Sequence, residues 1–348
     1  MGWRRSVLEA SVALIRAATP TERQPPADPK SIFVLRNNDI GDLLVVTPLF
    51  EALRRRFPKA RIVAGIGDWN RPVLEQNPYV SAIAPVNAPW HNRQIANQDS
   101  LGALRYIWSS KERRHLIAAN FEVGIDVLGS GYGSLLLMKA GIPYRLGVKG
   151  YAGGHTGASA TIAYHPNEHV GRMALRLAQK LGATELPEVR PQLHLHKGEL
   201  RECEIVVAPG GGYQEKRWPL QFYRELLQGL PGHNIVLLGS TSEQRSCSEL
   251  TEGLIHVQNL AGRLTLSQAF GWIAGAQLVI CNSSMAMHAA AAFRKPCVVL
   301  LGDAFPDAEL HAVQWAYPET EVFGKTVVRS SIYTPDEVLS ILRNAFGL

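Results

Sequence analysis

Three short segments carry the residues whose types and spacing could do chemistry. The first is Arg36-Asn37-Asn38-Asp39-Ile40-Gly41-Asp42-Leu43-Leu44, where an apolar run ends in polar residues and Asp42 falls at the start of a helical pattern. A carboxylate there can cap the helix, or it can act as a general base that takes a proton from an acceptor hydroxyl. Arg36, Asn38 and Gly41 would then line the acceptor side. The second is Val206-Val207-Ala208-Pro209-Gly210-Gly211-Gly212-Tyr213-Gln214-Glu215-Lys216-Arg217-Trp218-Pro219. Glycines let backbone N–H groups close on an anion, and Lys216 or Arg217 could neutralise a diphosphate; the alternative is a plain glycine turn with solvated cations. The third runs from Val279 to Ala291, where an apolar strand ends in Asn282, Ser283 and Ser284 and an Ala-rich helix begins with Met285. The N-terminus of such a helix attracts anions. His288 lies four residues after Ser284 on the same helical face, a spacing that also suits a structural histidine bonded to backbone. Met285 and Met287 read more naturally as packing than as ligands.

Several chemistries lack support. The glycines are not followed by Lys-Ser or Lys-Thr, so this is no Walker loop, and neither they nor Gly65-Ile66-Gly67 complete the GxGxxG fingerprint a nicotinamide oxidoreductase needs. There is no GxSxG elbow, no HExxH and no DxD pair that would hold a sugar-nucleotide metal. The four cysteines, Cys203, Cys247, Cys281 and Cys297, show no CxxC spacing, which argues against a zinc site or disulfide framework and fits a reducing cytoplasm.

The elements that must position these segments alternate from residue 31 onward. Strands are expected at 32–35, 61–66, 80–86 and 123–128, and a single amphipathic helix through Leu43, Val46, Phe50, Leu53 and Phe57 closes at Pro58. Residues 149–165, rich in Gly, Ala, Ser and Thr, read as a surface loop, followed by a helix near 168–181. The second half repeats the alternation, with strands at 204–208, 235–239, 277–281 and 297–301 and helices at 219–229, 242–252, 265–275, 284–293 and 335–346. This is the grammar of covered parallel sheets. The expected organisation is an N-terminal extension and tether over 1–30, a Rossmann-like acceptor domain over 31–183, a linker over 184–200, and a Rossmann-like donor domain over 201–348. Ligands bind such sheets at the carboxyl ends of their strands, where all three segments fall.

Composition bounds the partners. The chain has 348 residues, 46% of them apolar and 19% charged, so two globular α/β domains are expected. Its net charge of +6 favours anionic partners such as nucleotide sugars, phosphorylated glycolipids or a bilayer. Nucleic acid is disfavoured, because no long basic run with interleaved aromatics occurs. Near the amino terminus Trp3, Val7, Leu8, Val12 and Ile15 recur at near-helical spacing beside Arg4, Arg5 and Arg16. Glu9 and Ser11 interrupt any secretory signal. The segment reads either as an interfacial helix on an anionic leaflet or as a helix packed on the body.

Taken together, the three segments resemble glycosyltransferase family 9, the ADP-heptose:lipopolysaccharide heptosyltransferases. The likeness is carried by Gly41-Asp42-Leu43-Leu44-Val45-Val46-Thr47-Pro48 with Leu53 to Ile62, and by Pro209-Gly210-Gly211 with Lys216-Arg217-Trp218-Pro219. Asn259-Leu260-Ala261-Gly262, Asn282 to His288 and Pro296 to Gly302 complete it. The resemblance implies a GT-B architecture of two Rossmann-like parallel-sheet domains facing a cleft, and a metal-independent, inverting transfer that needs no cofactor beyond an ADP-linked sugar substrate. It assigns the base to Asp42, a catalytic donor-loop cation to Lys216, and donor binding to Gly210, Gly211, Gly212, Arg217, Asn282, Ser283, Ser284, Met285 and His288. The acceptor it implies is a lipopolysaccharide core or another surface glycan, reached at the cytoplasmic face of a membrane. One departure stands out: the family's Asp, Ser or Thr, and Gly before the histidine are here Ser283, Ser284 and Met285. The Asp is thought to touch the donor sugar, so a different nucleotide sugar, or a sugar-nucleotide-binding protein without turnover, are the alternatives.

Overall fold

The apolar run at 31–35 becomes a strand, Ser31–Leu35 (β1), buried along its whole length, as a parallel strand covered on both faces must be. The computed structural model describes residues 2–152 and 154–348, apart from the side chains of residues 2–6 and 8. The chain divides into two compact units, Met1–Gln192 and Leu193–Leu348.

In the first unit β1 is joined by Arg61–Ile66 (β2), Ala82–Pro85 (β3), Val123–Asp126 (β4), Tyr144–Lys149 (β5) and Ala160–Ala163 (β6). All pairs are parallel, in the order β3-β2-β1-β4-β5-β6. The second unit builds the same sheet from Cys203–Ala208 (β7), Ile235–Leu237 (β8), Val257–Asn259 (β9), Ala276–Cys281 (β10), Cys297–Leu300 (β11) and Thr320–Phe323 (β12), in the order β12-β11-β10-β7-β8-β9. Helices cover both sheets, and each unit has its own apolar core. Phe33, Leu35 and Ile107 belong to the first; Ile205, Trp218, Tyr223 and Ile280 belong to the second. Each such side chain contributes about 1.5–3 kcal/mol by leaving water.

Two expectations need correction, and a third divides between its alternatives. The helix expected from Leu43 to Phe57 is two helices, Ile40–Leu44 and Pro48–Arg56. Pro48 has no N–H to give Leu44, whose carbonyl instead accepts the Thr47 N–H at 3.1 Å and the Thr47 hydroxyl at 2.7 Å. The surface loop expected over 149–165 contains β6, which pairs with β5 from Leu146↔Ala160 onward. Small residues leave no apolar alternation to read, yet they suit an edge strand. The rest of that loop closes tightly on the sheet end. The Gly154 N–H donates to the Gly129 carbonyl at 2.7 Å, and a Cβ on Gly154 would meet Gly131 N at 1.6 Å.

The third concerns the amino terminus, where the helix packed on the body is the alternative observed. Gly2–Ala17 is a helix, but Val12 is fully buried and Ile15 packs against the first core. Arg16 donates to the Thr156 carbonyl at 3.1 Å, and Thr156 donates to Glu9. Val7 and Leu14 remain exposed, while the side chains of Trp3, Arg4, Arg5 and Leu8 lie outside the described residues. The segment expected as a tether is fastened as well. Buried Arg145 donates to the Pro20 carbonyl at 3.3 Å and the Thr21 hydroxyl at 2.6 Å, because a guanidinium inside the fold needs acceptors. Among the described residues no helix is long and apolar enough to cross a membrane.

Candidate active site

In each sheet the strand order reverses once, between β1 and β4 in the first unit and between β7 and β10 in the second. Open parallel sheets bind ligands in the crevice at the carboxyl ends of the strands flanking such a reversal. The three segments singled out from sequence follow β1, β7 and β10.

In the first unit Arg36 leaves the end of β1 fully buried. Its Nε donates to the Asp42 carbonyl at 3.1 Å, and its Nη2 donates to Asp42 Oδ1 at 3.3 Å. Nη1 is buried without a hydrogen-bond partner among the described residues. Asp42 lies inside the first turn of Ile40–Leu44, so it is not the cap; that position belongs to Asp39, whose carboxylate turns instead to Arg93 Nε at 2.6 Å. The Asp42 side chain keeps 34% exposure, so one oxygen is free to receive a proton from outside. Gly41 contributes its carbonyl to the Val45 N–H at 3.1 Å. Asn38 is buried: its Nδ2 donates to the His91 carbonyl at 2.7 Å, and its own carbonyl accepts Trp69 Nε1 and Asn70 Nδ2. Asn38 therefore shapes the wall more than it offers a contact, although its Oδ1 has no partner among the described residues.

In the second unit Asn282, at the end of β10, uses its whole hydrogen-bonding capacity internally. Nδ2 donates to the carbonyls of Pro209 at 2.6 Å and Gly210 at 3.1 Å, and Oδ1 accepts the Trp218 N–H at 2.9 Å and the Tyr223 hydroxyl at 3.0 Å. It holds the glycine loop, and its side chain has no further donor or acceptor to offer a ligand. Arg217 is also turned inward, donating to the Gly211 carbonyl from Nε at 3.1 Å and Nη2 at 2.6 Å, with Glu243 Oε1 at 3.6 Å. Glu243 in turn accepts the Gly211 N–H at 3.3 Å; a Cβ on Gly210 would strike that carboxylate at 2.3 Å, so glycine is required there. Gly212 leads into the short turn Gln214–Lys216.

Lys216 differs from its neighbour. Its ammonium lies 5.4 Å from the Tyr213 ring and 5.5 Å from the Phe305 ring, with no acidic partner among the described residues. A cation held between rings without a counterion is suited to an anionic ligand. Ser284 caps the helix Met285–Ala292, accepting the Ala286 N–H at 3.4 Å. His288 is buried one turn further on, with Nδ1 and the Tyr317 hydroxyl 2.7 Å apart and its ring edge-on to Trp315. Among the described residues no three His, Cys, Asp or Glu side chains are arranged to hold a metal.

Sequence reasoning missed four residues here. Tyr151, from the segment taken for a surface loop, reaches the Arg36 side chain; burial raises its hydroxyl pKa, with Arg36 lowering it and Asp42 raising it. Asp126, at the end of β4, is fully buried and pushed up to about 6 by burial, against hydrogen bonds from backbone N–H groups and the charge of Arg36. Glu243 braces the glycine loop from a distant turn. His311, from the helix Ala308–Trp315, lies 2.7 Å by its Nε2 from Ser283 Oγ. None of the four sits in a local pattern that marks it.

Comparison with known proteins adds four findings. The family model of glycosyltransferase family 9 (heptosyltransferase) matches residues 110–309. The lipopolysaccharide heptosyltransferase 2 of Escherichia coli strain K12 is 30% identical over 305 residues, covering 79% of this chain and 84% of that protein. The solved structure of the E. coli ADP-heptose lipopolysaccharide heptosyltransferase II is 25% identical, with a TM-score of 0.70 over 90% of this chain and 98% of that one. A glycosyltransferase family 9 structure from Veillonella parvula shares the fold at a TM-score of 0.75 and 17% identity, over 93% of this chain and 99% of that one.

Proposed function

This chain belongs to glycosyltransferase family 9, and we propose that it transfers a heptose from ADP-heptose to a lipopolysaccharide core acceptor in one inverting displacement. The observation that carries the substrate assignment is the 30% identity, over most of both chains, with a relative named lipopolysaccharide heptosyltransferase 2. The chain is a glycosyltransferase with the parallel-sheet architecture of the heptosyltransferase structures it matches.

In the proposed mechanism Asp42 accepts the proton of the acceptor hydroxyl as that oxygen attacks the anomeric carbon. Arg36 holds one carboxylate oxygen and leaves the group turned outward for that task. The glycosidic bond to the diphosphate breaks as the new one forms, through a transition state with oxocarbenium character. Charge then builds on the departing ADP, where Lys216 and the amides opening Met285–Ala292 stabilise it. Asn282, Arg217 and Glu243 hold the glycine loop in the shape that receives the phosphates. This division of roles is supported by the placement of both clusters at the strand-order reversals.

The acceptor is a membrane glycolipid in this reading, so the enzyme works as a peripheral protein at the cytoplasmic face. Support comes from the net charge of +6 and from Val7 and Leu14, apolar and outward on the amino-terminal helix. A transfer assay with ADP-heptose, other nucleotide sugars and a truncated lipopolysaccharide acceptor, run beside calorimetry with ADP, tests the proposal. Selective transfer of heptose supports it; binding of ADP without transfer from any donor refutes it. Ser283 favours one second reading, a related sugar on the same nucleotide, which the donor panel distinguishes.

A further inference from the structure

Ser283 stands in the turn that ends β10, beside the strand-order reversal of the second unit and one residue before the cap of Met285–Ala292. It is only partly buried, so its hydroxyl can meet a ligand in the crevice. Behind it His311 Nε2 lies 2.7 Å from Ser283 Oγ. His311 is itself buried, its ring edge-on to Phe305 at 5.1 Å, and Lys216 Nζ lies 5.5 Å from that same phenyl ring. Burial and the nearby Lys216 charge lower the His311 pKa to about 4, so the imidazole is neutral at physiological pH.

A neutral imidazole carries one proton on one of two nitrogens. Nδ1 of His311 is buried with no partner among the described residues. A proton on Nδ1 would be a buried N–H donor with nothing to receive it, the rarer and costlier kind of orphan. The proton therefore belongs on Nε2, which donates to Ser283 Oγ. That bond occupies an oxygen lone pair and leaves the serine O–H to point elsewhere. No other hydroxyl or carbonyl among the described residues takes it.

We infer that His311 is a positioning residue that fixes Ser283 as a hydrogen-bond donor to a hydroxyl oxygen of the sugar on the nucleotide-sugar donor. The inference rests on the transferase reading above. Lys216 and the helix amides already supply positive charge to phosphate, so a neutral O–H beside them suits the neutral part of the same molecule. A serine held this way does the reverse of a carboxylate: it gives a proton to the sugar where a carboxylate would accept one. The pair thus selects for the position of a hydroxyl oxygen.

The test compares dissociation constants for ADP and ADP-heptose, by calorimetry, in wild type, Ser283→Ala, His311→Leu, His311→Gln and the Ser283→Ala/His311→Leu double variant. A single lost hydrogen bond weakens binding by roughly 2- to 13-fold. Ser283→Ala and His311→Leu should each weaken ADP-heptose by that factor, with ADP affinity held within about twofold. The double variant should be no weaker than the worse single one. His311→Gln, which keeps an N–H donor, should recover most of the affinity. Retained ADP binding reports that the fold survives in every variant. Equal losses for ADP and ADP-heptose, additive losses in the double variant, or a wild type that binds both ligands alike would each overturn the inference. A wild type that gives the expected ratios but moves no heptose to lipopolysaccharide refutes the transferase reading and leaves this one standing.

Discussion

Arg36 and Asp42 form an ion pair in which one partner is fully buried and the other is 34% exposed. The asymmetry matters: the cation is fixed by the fold, and the anion faces solvent on the side where an acceptor would arrive. Asp42→Asn keeps the shape and an oxygen for Arg36 but removes the base. Turnover should fall by about 10²- to 10⁴-fold, with ADP affinity unchanged. Steady-state transfer kinetics and calorimetry on the same preparation check this; a normal rate in Asp42→Asn would remove the base assignment.

Two neighbouring cations should behave differently. Lys216 makes no ion pair in the described structure, so Lys216→Ala should leave thermal stability nearly untouched and weaken ADP by about 1.5–3 kcal/mol. Arg217 is bonded to the Gly211 carbonyl and faces Glu243, so Arg217→Ala should lower both the melting temperature and ADP affinity. Differential scanning fluorimetry with and without ADP separates the two patterns.

Asn282→Ala should be strongly destabilising. It strands the Trp218 N–H and the Tyr223 hydroxyl, and each buried group left unsatisfied costs about 1–3 kcal/mol. Urea unfolding followed by Trp fluorescence should show a loss of at least about 2 kcal/mol in the second unit. An unchanged midpoint would mean that the loops hold each other without the amide.

Acid should act on the two units in opposite senses. His311 titrates near 4 when folded against an ordinary 6.5, so the unfolded chain binds its proton first and stability is lost as pH falls through that window. Asp126 titrates near 6 against an ordinary 3.8, so its contribution is fully present below the lower value and is lost as pH rises through the upper one. Each is worth about 3 kcal/mol. Relative to wild type, His311→Gln should lose less stability between pH 7 and pH 4.5, and Asp126→Asn should lose more. Urea midpoints at the two pH values measure both.

Membrane contact is best tested without deleting the amino-terminal helix, because Val12 and Ile15 are part of the first core. Val7→Glu/Leu14→Glu leaves those contacts in place and makes the outward face acidic. Sedimentation with anionic vesicles should fall by about tenfold or more, since each buried apolar side chain contributes about 1.5–3 kcal/mol. Equal pelleting of the variant and wild type would count against the helix as the contact.

What was legible in the sequence was local. The strands β1, β2, β7 and β10 announce themselves by apolar runs, and Asp42 and Lys216 by their place just after such runs. Ala160–Ala163 was hidden because an edge strand of small residues carries no alternation. Pro48 did signal the helix break, but the apolar spacing on either side of it masked the missing N–H. The facing of Arg217 to Glu243 and the full use of Asn282 depend on partners 26 to 73 positions away, as does the reach of His311 to Ser283. Side-chain direction is decided by such partners, and spacing along the chain does not record them.

The bond between Arg16 and the Thr156 carbonyl, 140 positions apart, also has a consequence during synthesis. The helix Gly2–Ala17 leaves the ribosome well before Thr156, so the carbonyl it docks against appears only after those intervening residues have followed. At about 5–20 residues per second, that leaves Val12 and Ile15 uncovered for roughly 7–28 s. For that interval the nascent chain presents both of its apolar faces, the one that ends in the core and the one that stays outside. A holding chaperone or a nearby bilayer would meet the newborn protein there before the fold can claim it.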